Sequence, residues 1–144
     1  MRIIETKVFT IDEHPDKEKC FDWIRENWHD LNQHSLDELI DSLKALAKEV
    51  GGKLDYAVSC VPDRGEFIRI KDYDKDRLTG IDKAECPLTG VCWDYDVIKA
   101  LKNGDFKPVL DILHNETEFQ YSSEALEELC DSMEYEFNEE GAFV

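Results

Sequence analysis

Leu36, Leu39, Ile40, Leu43, Leu46, Ala47 and Val50 recur at steps of three and four residues, which places them on one face of a helix. Ser35 is positioned to cap that helix, and Glu38 to reach back and complete a capping box. Gly51 and Gly52 end it, because glycine adopts the left-handed C-cap geometry without steric cost. The pattern therefore predicts a long amphipathic helix from Ser35 to Gly52. Ahead of it, Cys20, Phe21, Ile24, Trp28 and Leu31 share the same spacing, and Pro15 suits a first helical turn, so a second helix is expected over Pro15 to Asp30. The link between them is short and polar, which predicts an N-terminal helical hairpin.

Elsewhere the period is different. Arg2 to Ile11 is rich in β-branched residues and reads as a strand. Leu54 to Val61 and Gly65 to Ile70 read as a hairpin turned by Pro62 to Gly65. Thr89 to Trp93 has the residues of a further short strand. Tyr95 to Lys102 predicts a helix ended by Asn103-Gly104, and Pro108 opens another that runs towards Phe119. Ser122 or Ser123 caps a last helix, whose apolar face is expected to be Leu126, Leu129 and Met133. Ala142 to Val144 then returns against Tyr135 and Phe137. The order of elements predicts one α+β domain over residues 1–144: a small, mainly antiparallel sheet, the N-terminal helical hairpin, and further C-terminal helices packed on the sheet.

Charge changes this picture more than composition does. The chain carries 34 acidic residues against 17 lysines and arginines, a formal net charge of −17. A phosphate backbone would be repelled, so direct nucleic-acid binding is disfavoured, as is attachment to an anionic membrane. The excess is also unevenly placed. Residues 111–144 hold eleven carboxylates and no lysine or arginine. On the last helix Glu124, Glu127, Glu128, Asp131 and Glu134 fall three or four residues apart, where like charges repel. With Glu116, Glu118 and Glu136 they form a candidate partner-binding surface, in which carboxylates stand in for phosphates against a basic protein groove; the other reading of the same run is a solvated acidic face that keeps the protein soluble.

Catalytic and metal-binding patterns are weak by comparison. Asp72, Asp74 and Asp76 copy the opening of a calcium loop, but Arg77 stands where its glycine belongs and Lys83 where its bidentate Glu belongs. The five cysteines are scattered without a C-x-x-C pair, and His29 and His34 do not share a helical face, so structural zinc is not expected. Odd and scattered thiols fit a reducing compartment. Gly51, Gly52, Gly80 and Gly90 make no phosphate loop. The chain is therefore expected not to be an enzyme and to need no cofactor and no metal.

Leu88 to Leu101 reads LTGVCWDYDVIKAL, and Glu134 to Gly141 reads EYEFNEEG. Together these stretches resemble a widespread group of small acidic phage and prophage proteins described as antitoxin-like. Thr89, Gly90, Cys92, Asp94 and Asp96 match the first motif of that group; Tyr135, Glu136, Phe137 and Gly141 match the last. The resemblance implies a phage-encoded protein acting in the cytoplasm of an infected bacterium, in the manner of inhibitors of host defence such as anti-CRISPR proteins. It carries no catalytic residues across. The function expected from charge and resemblance together is inhibition of a host defence complex by occupation of its basic nucleic-acid-binding surface. The alternative is an antitoxin-like or regulatory partner held by hydrophobic contacts, and an enzyme using the Asp72–Asp76 loop or a cysteine ranks behind both. Homodimerisation is left open by the sequence.

Overall fold

The computed structural model describes residues 7–60, 65–82, 85 and 87–144. It is an α+β fold with two antiparallel two-stranded sheets where one sheet was expected. Met1 to Thr6 of the first predicted strand, and Pro62 to Arg64 of the predicted turn, lie outside the described residues. The chain divides into two compact units, Asn32–Thr117 and the paired segments Met1–Leu31 and Glu118–Val144.

The Asn32–Thr117 unit is built around α2 (Gln33–Glu49), the helix predicted from the leucine stripe. Leu39, Leu43, Leu46 and Val50 are fully buried and pack with Val97, Ile98 and Leu101 of α4 (Trp93–Asn103). Removing one such leucine side chain costs about 2–5 kcal/mol. Strands β2 (Lys53–Ala57) and β3 (Phe67–Lys71) pair with Leu54 opposite Ile70 and Tyr56 opposite Ile68, so alternate residues turn to this core. Gly51 (φ +65°) follows the C-terminus of α2 in the left-handed geometry expected of it. The helix α3 (Lys75–Thr79) starts within the calcium-like Asp72–Asp76 stretch.

Two local expectations are corrected here. The capping box at Ser35 does not form, because α2 starts earlier, with Asn32 as its N-cap residue. Asn32 does not cap with its side chain either: its amide donates to Thr117 Oγ1 at 2.8 Å on α5 (Lys107–Gln120). Ser35 donates to Glu116 at 2.6 Å, and Glu38 pairs with His34. Thr89 to Trp93 forms a turn leading into α4 rather than a strand.

In the other unit, α1 (Lys17–Asn27) packs on α6 (Ser123–Met133) around Cys20, Phe21, Ile24, Leu126 and Cys130. Ser122 caps α6 by accepting from the Ala125 N–H. Strand β1 (Phe9–Thr10) pairs with β4 (Glu136–Phe137), and Phe137 also bridges Phe143, which is the predicted C-terminal return. His14 locks the turn beside it, its Nε2 donating to the Asn138 carbonyl (2.8 Å) while Nδ1 accepts from the Asp16 N–H (3.0 Å). With α1 packed on α6 and α2 on α4, the predicted helical hairpin is a feature of neither unit. The buried edge of α6 is Leu126 and Cys130; Met133, expected inside, is 56% exposed.

Candidate functional site

The last turn of α6 is the point where the acidic residues gather. Glu124, Glu128 and Asp131 repeat at four- and three-residue steps along its exposed side. Glu134 ends the helix in a left-handed conformation (φ 53°), and the chain then enters β4 at Glu136. This reversal brings Asp131, Glu134 and Glu136 around one hollow of about 390 Å3, whose floor includes Thr10, Ile11 and Cys130. Three of the eight predicted residues thus line a common surface.

The electrostatics of that surface are those of crowded like charge. Asp131 shares a side-chain hydrogen bond with Asp12, which holds its carboxyl above the ordinary range; the Asp12 charge, desolvation and Glu127 act in the same direction, and Lys17 opposes them. Glu127 is the exception among the eight. Lys17 of α1 reaches it at 2.7 Å and also lies 3.7 Å from Asp12. Hydrogen bonding to Glu127 raises the Lys17 ammonium above its usual value. Among the described residues, no lysine or arginine lies within ion-pair distance of Glu124, Glu128, Asp131, Glu134 or Glu136. Glu118, exposed on the last turn of α5, is equally without a cation.

Glu116 belongs to the Asn32–Thr117 unit. It accepts from Ser35, whose hydroxyl in turn accepts from Trp93 Nε1 at 3.2 Å. With Glu38 and Asp96 it lines a separate hollow, and burial together with the Glu116 charge raises the Asp96 carboxyl, against the pull of Lys99. The structure therefore does not assemble the eight residues within one unit.

The motif residues have structural work. Asp94 is completely buried and accepts five hydrogen bonds: N–H groups of Leu88, Thr89 and Gly90 at 3.0, 2.7 and 2.8 Å, and hydroxyls of Ser42 and Thr89 at 2.7 and 2.8 Å. Burial alone would raise this carboxyl, but the bonds from Ser42, Thr89 and the backbone outweigh it and hold Asp94 below its ordinary value. Gly141 (φ +86°) lies so close to α1 that a Cβ there would stand 2.7 Å from the Lys19 carbonyl carbon. Both motifs thus fix loops, and sequence spacing alone did not show it.

The remaining candidates resolve in the same way. Asp74 of the calcium-like stretch is the N-cap of α3, accepting from Asp76 and Arg77 N–H groups. Burial pushes the Cys20 and Cys130 thiols up to about 11, which removes the thiolate a nucleophile needs. Cys92 is exposed, and Cys86 lies outside the described residues. No helix of the described residues is long and apolar enough to cross a membrane. Comparison with protein-family models, with curated proteins and with solved structures finds no match to this chain.

Proposed function

We propose that this chain is an acidic binding protein that occupies the basic, nucleic-acid-binding surface of a partner. One observation carries the reading. Asp131, Glu134 and Glu136 converge on a hollow, Glu124 and Glu128 continue the surface along α6, and no described cation pairs with them. Carboxylates in solvent normally interleave with lysines, and an unrelieved cluster leaves a negative potential that a basic surface can match. The motif resemblance supports reading this as a phage protein that inhibits a host defence complex in the bacterial cytoplasm, a role that calls for no enzymatic chemistry and no cofactor. Carboxylates spaced along a helix offer a groove what a phosphate strand offers it, while base-reading contacts are absent.

The test is capture of nucleic-acid-binding proteins from a bacterial lysate. Wild type is expected to retain them at low salt and release them at high salt, since exposed charge pairs are screened. The triple reversal of Glu124, Glu128 and Asp131 to Lys is expected to retain none of them, with an unchanged circular-dichroism spectrum. Equal capture by the folded triple variant overturns the reading.

A second reading has one observation of its own. Phe119 and Met133 are 59% and 56% exposed, which suits a partner held by apolar contact. In that case capture survives high salt and is lost on replacing Phe119 and Met133 by Ser.

A further inference from the structure

The aromatic cluster of the Met1–Leu31 and Glu118–Val144 unit is open on one side. Trp28, Tyr135 and Phe143, with Glu136 and Val144, wall a hollow of about 290 Å3. The rings are set at steep angles. Trp28 meets Tyr135 at 5.9 Å and 67°, and Phe143 at 6.0 Å and 72°, while Tyr135 and Phe143 are 5.2 Å apart at 47°. Such rings form the walls of a corner rather than a stack.

Two kinds of negative potential meet in that corner. Aromatic faces carry the negative lobe of the ring quadrupole, which attracts cations. Glu136 supplies a full charge, and the same residue walls the hollow that Asp131 and Glu134 line. The acidic surface and the aromatic corner therefore share the residue Glu136. Among the described residues, the cations found over rings are Arg69 on Phe67 and Lys99 on Tyr95, both in the other unit.

The corner is also held in place before anything enters it. The Tyr121 hydroxyl donates to the Trp28 carbonyl and accepts from the Leu31 N–H at 3.3 Å, which fixes the chain at the end of α1. The Phe137–Phe143 bridge and the bond from the Val144 N–H to the Glu136 carbonyl hold the opposite wall. A preorganised site loses little on binding.

We propose that this hollow seats an arginine side chain of a basic partner protein, with the guanidinium against the Trp28, Tyr135 and Phe143 corner and hydrogen-bonded to Glu136. Arginine fits better than lysine because its plane packs on rings, it sheds water more readily, and its fork matches a carboxylate. The inference rests on the acidic-surface reading above, to which it adds the residue that anchors the partner.

The test uses the whole chain and a small probe, N-acetylarginine amide, followed through the indole N–H signals of Trp28 and Trp93 by NMR. The Trp28 signal is expected to shift saturably while that of Trp93, buried in the other unit, stays still. Glu136→Gln and Phe143→Leu should each weaken the probe about 3-fold, with the remaining amide signals showing a folded chain. N-acetylcitrulline amide, which has the shape without the charge, should not bind, and N-acetyllysine amide should bind more weakly. Equal shifts with citrulline, an affinity for lysine that matches arginine, or indifference to Glu136→Gln each overturn the assignment. If the probe fails to bind while the triple reversal still abolishes capture from lysate, the arginine seat falls and the acidic surface stands. If the probe binds and capture survives the reversal, the acidic-surface reading is the one that falls.

Discussion

The carboxylate of Asp94 sits 2.7 Å from the hydroxyl of Ser42, joining α2 to the loop that precedes α4 from inside a fully buried site. Its remaining bonds gather the Thr89 hydroxyl and three consecutive backbone N–H groups, Leu88 to Gly90. Replacing Asp94 by Asn turns an acceptor into a donor facing donors. The expected loss is about 2–4 kcal/mol in urea unfolding, against about 1–2 kcal/mol for Ser42→Ala, which removes the bond to Asp94 and the 3.2 Å contact with Thr89 Oγ1 but leaves the carboxylate its other partners.

The same group fixes an acid dependence. Its folded value lies below the ordinary 3.8, so its contribution is complete above 3.8 and is lost as the pH falls through the folded value. The gap in urea midpoint between wild type and Asp94→Asn should therefore be constant from neutral pH down to about 4 and narrow only in more acid solution. A gap that narrows near pH 6 assigns the effect to another group.

Gly141 and Gly104 form a matched pair. Both have positive φ, but a Cβ at Gly104 meets nothing within 4 Å, whereas one at Gly141 meets the Lys19 and Cys20 backbone at 2.7–2.8 Å. Gly104→Ala should cost about 1 kcal/mol, the left-handed penalty alone. Gly141→Ala adds a clash with backbone that cannot step aside, and about 3 kcal/mol is expected. Equal losses would show that the contact with α1 carries no weight.

Thiol reactivity offers an independent check on the core between α1 and α6. Cys20 and Cys130 are buried with values pushed up to about 11, so neither holds thiolate at neutral pH. Brief alkylation of the native protein, mapped by mass spectrometry, should modify exposed Cys92 and spare these two until denaturant is added.

The leucine stripe of α2, the stops at Gly51 and Gly104 and the Ser122 cap were legible because each depends on neighbours in sequence. Ser35 misled for the opposite reason: its hydroxyl is claimed by Glu116, eighty-one positions away, and Asn32 is claimed by Thr117. Thr89 to Trp93 has strand-forming residues, yet it turns to hand its N–H groups to Asp94, whose burial against Ser42, fifty-two positions away, no local pattern encodes. The candidate site shows the same division. A C-terminal run of carboxylates without lysine or arginine is plain in the sequence. That Asp131, Glu134 and Glu136 share a hollow, that Asp12 crowds Asp131, and that Lys17 removes Glu127 from the free set follow from pairing with the start of the chain, which no local pattern encodes.

Two residues of that hollow are held against the interest of stability. Asp131 has its carboxyl raised first by the hydrogen bond and charge of Asp12, so its ionised form is disfavoured in the folded state. A raised acid makes the fold less stable above its folded value and relieves it as the pH falls below. Glu134 bears a side chain at φ 53°, a conformation that glycine adopts freely. Asp131→Asn should therefore raise the urea midpoint at pH 7, with the gain fading in acid. Glu134→Gly should add about 0.5–1 kcal/mol at any pH. Both substitutions remove a carboxylate from the proposed contact surface, so both should weaken capture of a basic partner while stabilising the chain. Gains in stability with capture intact would mean that the crowding of charge serves no partner, and the proposed surface would have to be sought elsewhere on the molecule.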